Sequence, residues 1–174
     1  MKHITFYLDF ISPFAYLAFE ELPKALMGLS YSVTYKPVLF AALLKHHGQL
    51  GPAEIPAKRD WTYRHVQWLA HSKSVPLDMP AAHPFNPLPA LRLTVALGAG
   101  PDTVRTVFRH LWAEGRTLEG EDWQALCARL GLSVAEAGAL AASPAAKDGL
   151  RERIDAAIAR GVFGVPGSIV HGEL

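Results

Sequence analysis

The stretch Thr5-Phe-Tyr-Leu-Asp-Phe-Ile-Ser-Pro-Phe-Ala-Tyr-Leu-Ala-Phe-Glu-Glu-Leu22 decides the fold. Its first part belongs to a β-branched and aromatic run, residues 3–9, that reads as a buried strand. Ser12-Pro13 then opens a helix over residues 13–27, with Phe14, Leu17, Ala18, Leu22, Ala25 and Leu26 on one face. Pro23 is expected to bend or shorten that helix, and Gly28 to stop it. A second strand-like run, Tyr31–Pro37, follows at once. Strand, helix and strand in so short a span predict a βαβ unit with parallel strands.

From about residue 39 to 160 the periodicity is helical and no convincing strand interrupts it. A Gly- and Pro-rich loop, residues 46–58, leads into a helix over about 59–72 that carries Trp61, His65, Trp68 and Leu69. Residues 74–89 hold too many prolines for regular structure. Helices are predicted over 88–97, 103–112 and 121–130, the last ended by Gly131. Two more start at Ser133 and at Ser143-Pro144, and the final one runs to about Arg160, with Gly161 as its stop. Residues 168–170 are a short strand candidate, followed by a turn at His171-Gly172. The coarse order is β-α-β, a long helical segment, then β, with no internal repeat.

Composition bounds the function classes. Of the 174 residues, 50% are apolar and 19% charged, enough to bury a core. Seventeen basic against sixteen acidic residues provide no concentrated positive field, which argues against nucleic acid or an anionic membrane as partner. A single cysteine, Cys127, excludes an intrachain disulfide, a CxxC redox pair and a multi-thiolate zinc site. Cys127 falls on an apolar helix stripe and reads as a buried, inert thiol. No signal-peptide pattern or bilayer-length apolar run is present, so the expected compartment is the cytoplasm. His46 and His47 are adjacent, and His65, His71 and His83 lack ligand spacing, so no metal site is expected. Trp61, Trp68, Trp112 and Trp123 are expected in the core or in a pocket wall, and Gly98 and Gly100 follow no strand in a dinucleotide pattern.

Ser12 is the residue to weigh. Ser at N-cap with Pro at N1 is an ordinary helix start, and Ser143-Pro144 repeats the pair where nothing else suggests chemistry. Covalent serine catalysis needs a histidine base, and the spacing of the eight histidines nominates none. What distinguishes Ser12 is the strand before it together with Val165-Pro166 far downstream, an X-Pro pair that leads into a strand. A βα unit whose helix begins at a nucleophile-like residue, with a later Val-Pro, is the layout of thioredoxin-like folds.

Four blocks carry a closer resemblance: residues 6–23, 36–61, 83–93 and 160–174. Together and in this order they resemble the 2-hydroxychromene-2-carboxylate isomerases, glutathione-dependent enzymes of the DsbA-like thioredoxin superfamily related to kappa-class glutathione transferases. The resemblance implies an α/β fold, with a thioredoxin-like core of residues 1–38 and 162–174 and an all-helical insertion of residues 39–161. It places Ser12 on the position of the first redox cysteine and Ala15 on that of the second. Ser12 would then donate a hydrogen bond to the sulfur of glutathione, with Pro13 and Phe14 in the same site. A free thiol, with a pKa of about 8.5, is mostly protonated at neutral pH. A helix N-terminus carrying roughly half a positive charge favours the thiolate.

The resemblance further implies that Val165 pairs its main chain with glutathione beside a cis Pro166. Lys58 is a candidate partner for a carboxylate, against a solvated lysine at a helix start. Asn86 is a candidate for orienting a loop over the site, against an Asx-type turn before Pro87. Where the family has Gly-Asn after the second strand, this sequence has Gly48-Gln49, a longer amide that puts the direct transfer of that contact in question. The family pattern also continues past Gly172-Glu-Leu174 with a strand, an Asp-containing segment and a helix. If the protein ends at Leu174, part of the glutathione site and one sheet edge are left open, and otherwise the chain continues. The implied activity is glutathione-dependent isomerisation of an intermediate of aromatic compound catabolism, by a homodimer. The alternatives are a kappa-like glutathione transferase and a non-catalytic thioredoxin-like binding protein.

Overall fold

In the computed structural model, which describes residues 1–174, strand β1 (Lys2–Leu8) lies at the centre of a three-stranded sheet of order β2-β1-β3. Its apolar side chains serve both faces. Phe6 and Leu8 enter the main core, while Tyr7 enters a second cluster with Val38, Leu43, Ala157, Val162 and Ile169. A strand buried on both faces takes the middle position. Strand β2 (Tyr31–Pro37) pairs with β1 in parallel, Ile4 opposite Val33 and Phe6 opposite Tyr35. Strand β3 (Gly167–Val170) runs antiparallel on the other side, Thr5 opposite Ile169.

Helix α1 (Pro13–Ala25) makes the crossover between the parallel strands. Pro23, which has no N–H to donate to the preceding turn, sits in its last turn, two residues before the helix stops, and Gly28 beyond it takes the left-handed φ of 82°. Seven helices follow: α2 (Phe40–His47), α3 (Pro56–Lys73), α4 (Leu88–Ala96), α5 (Pro101–Phe108), α6 (Gly120–Arg129), α7 (Val134–Ala142) and α8 (Pro144–Ala159). Ser133 and Ser143 cap α7 and α8, their hydroxyls accepting from the N–H of Glu136 and Ala146. No single helix is long and apolar enough to cross a membrane.

Three sequence expectations change. The start of the Gly- and Pro-rich loop is still helical, because α2 continues through His46 and His47 before Gly48 turns the chain at φ 64°. The helix expected over 103–112 is α-helical only to Phe108 and then widens into a π-helical segment, Arg109–Ala113. That segment carries Trp112, fully buried, whose indole N–H donates to the carbonyl of Phe10 at 2.8 Å. Trp61 and Trp68, expected in a core or pocket wall, are instead 58% and 62% exposed. Helix α3 buries its stripe of Thr62, Val66 and Ala70. The neighbouring stripe stands outward, with His65 stacked between the two indoles at 4.7 and 5.9 Å. Helical periodicity marks both stripes alike, and the smaller side chains pack closer.

The main core runs without a break from the sheet into the helical segment. Phe108 of α5 meets Phe10 at 5.0 Å, Phe19 at 5.5 Å and Tyr16 at 6.0 Å between ring centres. Cys127 lies in a separate small cluster with Leu93, Ala137 and Ala141, fully buried, and burial pushes its thiol pKa up.

Candidate active site

Between the end of β1 and the start of α1, four residues reverse the chain. Asp9, the first, is fully buried. Its carboxyl accepts from the N–H of Ile11 at 3.1 Å and from the N–H of Phe40 at 2.8 Å. Leu39, at the N-cap of α2, has no side-chain acceptor, so Asp9 performs that capping from another element. Burial nonetheless outweighs these donors and pushes the Asp9 pKa up to about 7. Trp112 holds the next carbonyl, and the turn before Ser12 is thereby fastened on two sides.

Ser12 is the N-cap of α1, and its hydroxyl oxygen accepts from the N–H of Ala15 at 3.1 Å. The hydroxyl proton points to the carbonyl of Val165, 3.4 Å away, at the long limit for such a bond. The Val165-Pro166 peptide is cis. Val165 has no partner within the chain for its own N–H. One hydroxyl, a helix N-terminus and an open main-chain segment therefore meet at one place.

They meet at the wall of a cavity of about 470 Å³. Of the residues expected from the sequence, Ser12, Pro13, Phe14, Asn86 and Val165 line it. Asn86 also forms the Asx-type turn, its side-chain oxygen accepting from the N–H of Leu88 at 3.1 Å. Gln49 and Lys58 are exposed and lie outside this lining, as does Pro166. No lysine or arginine lines the cavity, whose walls are mainly apolar, with Leu39, Phe40 and Leu44 among them. Such a space suits a flat apolar body, with polar contact at Ser12 and at a few further points of the wall.

Two further polar residues in this wall escape sequence reasoning. The ring of His83 places Nε2 2.7 Å from the carbonyl of Ile11, the residue before Ser12. Its Nδ1 lies 2.6 Å from the hydroxyl of Tyr63, on α3. Burial lowers the His83 pKa and raises that of Tyr63, so the neutral forms of both are favoured. His83 and Ile11 stand 72 residues apart in sequence, and no spacing rule joins them.

The glutathione that the resemblance implies can be tested against these groups. A peptide thiol needs a donor and a positive potential at its sulfur, and main-chain partners on either side of it. Ser12 with the α1 N-terminus offers the first, and the free N–H of Val165 offers the second. The cysteinyl part fits. The two carboxylates find no cation in the cavity wall and must lie outside it.

Comparison with known proteins follows the same line. Residues 3–174 match the DSBA-like thioredoxin domain family. The chain is 30% identical to a 2-hydroxychromene-2-carboxylate isomerase of Pseudomonas sp. (strain C18), over 98% of this chain and 82% of that protein. It is 25% identical to glutathione S-transferase kappa 1 of Rattus norvegicus, over 97% and 80% of the two chains. A solved structure of a 2-hydroxychromene-2-carboxylate isomerase superposes with a TM-score of 0.85 at 28% identity, covering 98% of this chain and 86% of the other.

Proposed function

Because the chain belongs to the DSBA-like thioredoxin domain family and, within it, to the 2-hydroxychromene-2-carboxylate isomerases, we propose that it is a glutathione-dependent isomerase of this substrate class. The observation that carries the reading is the convergence of the Ser12 hydroxyl, the α1 N-terminus and the unpaired Val165 N–H at the wall of an apolar cavity. When bound, glutathione would supply a thiolate that adds reversibly to the conjugated substrate and so allows rotation about its double bond.

The protein's own residues would do the rest. Ser12 would turn its hydroxyl proton from the distant Val165 carbonyl to the sulfur, a charge-assisted bond. The first-turn N–H groups of α1 hold the same negative charge. Val165 offers its N–H to the cysteinyl backbone, strand fashion. Pro13, Phe14, Leu39 and Phe40 hold the flat ring and keep water from the reacting bond. Lys58 and Gln49, both exposed, are the groups we assign to the outlying carboxylates of glutathione. The proposal extends to a cytoplasmic homodimer taking part in aromatic compound catabolism, as the resemblance implies.

A kappa-like transferase reading rests on the identity to glutathione S-transferase kappa 1 and uses the same activated thiolate. Product analysis separates the two: the isomerase returns free glutathione and a rearranged acid, the transferase a stable thioether. Calorimetry with glutathione tests both, and absence of binding at millimolar concentration would overturn both.

A further inference from the structure

We propose that Tyr63 and His83 form a proton relay that opens the cyclic hemiketal of the substrate, a step separate from the thiol chemistry at Ser12. The inference rests on the substrate class proposed above but not on glutathione. A 2-hydroxychromene-2-carboxylate carries a hydroxyl and a ring oxygen on the same carbon, C2. No rotation can occur until the ring is open, and opening requires removal of the hydroxyl proton.

The geometry points to the acceptor of that proton. The Ile11 carbonyl can only accept, so Nε2 of His83, 2.7 Å away, carries the hydrogen. In the neutral ring Nδ1 is then the acceptor, and the Tyr63 hydroxyl donates to it at 2.6 Å, in preference to the longer contact of 3.2 Å with the His83 carbonyl. The lone pairs of the Tyr63 oxygen are left to accept a proton from a substrate hydroxyl. A carbonyl, an imidazole and a hydroxyl in series repeat the logic of an activated triad, in which the third group fixes the tautomer of the base. Both Tyr63 and His83 line the cavity. His83 is further held between the rings of Phe85 and Trp112, at 5.8 and 5.3 Å.

The step balances without an outside reactant. The C2 hydroxyl gives its proton to the Tyr63 oxygen, and the Tyr63 proton passes to Nδ1 of His83. The freed electron pair forms the C2 carbonyl, the bond from C2 to the ring oxygen breaks, and its electron pair leaves on the phenolate oxygen. The proton returns along the same path to that phenolate, so the opening is redox-neutral and leaves the protein unchanged. Burial keeps His83 neutral to lower pH than an ordinary histidine and Tyr63 protonated to higher pH than an ordinary tyrosine. The other charged groups in the cavity wall are Asp9, which shares Ile11 with His83, and Glu54, and Arg59 and Asp60 act on Tyr63 from α3.

Exchange of the C2 hydroxyl oxygen with oxygen-18 water, measured without glutathione, follows ring opening once solvent water hydrates the freed C2 carbonyl. That hydration is common to every variant, so differences between variants report the opening. The full protein should catalyse this exchange, and Tyr63→Phe should lower it about a hundredfold, the usual reach of a positioned acid or base. His83→Gln can keep both hydrogen bonds but cannot take up the proton. It should therefore slow the exchange by a similar factor and remove the acid limb from the pH profile of the residual rate. Nitrogen-15 shifts of His83 should show the Nε2-protonated tautomer in the wild type and respond to Tyr63→Phe. No wild-type exchange, exchange in Tyr63→Phe equal to wild type, or a retained acid limb in His83→Gln would overturn the relay. Glutathione-dependent turnover without any exchange would sink the relay and leave the isomerase reading standing. Exchange that depends on Tyr63 without glutathione-dependent turnover would do the reverse.

Discussion

Replacing Ser12 with alanine removes one oxygen that has two duties, and the second serine-proline start provides the control. In the free protein the Ser12 oxygen accepts from the Ala15 N–H at 3.1 Å, while its donation to Val165 at 3.4 Å is too long to contribute much. Ser143 makes the same cap, accepting from Ala146 at 3.2 Å, and donates to Leu140 at 2.7 Å. Loss of an N-cap costs about 1 kcal/mol, so Ser12→Ala and Ser143→Ala should shift denaturant midpoints by comparable amounts. Glutathione separates them. A hydrogen bond to a charged group contributes about 1.5–3 kcal/mol, and one pKa unit corresponds to about 1.4 kcal/mol. Ser12→Ala should therefore raise the pKa of the bound thiol by about 1–2 units, and Ser143→Ala should leave it where it is. The ultraviolet absorbance of the thiolate, followed against pH in the complex, measures this directly. An unchanged thiol pKa in Ser12→Ala would return Ser12 to the status of its twin, a helix cap.

Two further substitutions test the frame around Ser12. Asp9, with a folded pKa of about 7 against 3.8 for the free group, binds its proton more tightly when folded. Its contribution to stability is thus full below 3.8 and is lost as pH rises toward 7, so Asp9→Asn should gain on the wild type across that window in denaturant melts. A constant difference between the two proteins from acid to neutral pH would contradict the raised pKa. Trp112→Phe leaves the Phe10 carbonyl without its donor and a gap in a filled core, which should cost about 2–4 kcal/mol with the denaturant slope unchanged. A loss within experimental error would mean that Trp112 does not fasten the turn.

The sheet and its crossover helix were legible because their signals are local. Apolar residues on both faces of β1, the Ser-Pro start and the left-handed Gly28 each act within a few residues of themselves. The caps at Ser133 and Ser143 were readable for the same reason. Ser12 and Val165 needed more: neither stands out alone, and it was their order in a resembling set of blocks that joined them. His83 gave no sign, since its partners Ile11 and Tyr63 come from the β1–α1 turn and from α3, brought together only by packing. Asp9 read as a break in an apolar run, and nothing in its neighbourhood announces that it caps a helix starting at Phe40. The outward turn of Trp61 and Trp68 was likewise hidden, because periodicity marks both stripes of α3 alike and only its packing against α1 shows which of them is buried.

The most direct test of the proposed function is to mix the purified protein with 2-hydroxychromene-2-carboxylate, with and without glutathione, and identify the product. Conversion to the trans-benzylidenepyruvate isomer that requires glutathione, with no glutathione consumed, is the predicted result. No conversion, or conversion at the same rate without glutathione, would contradict it.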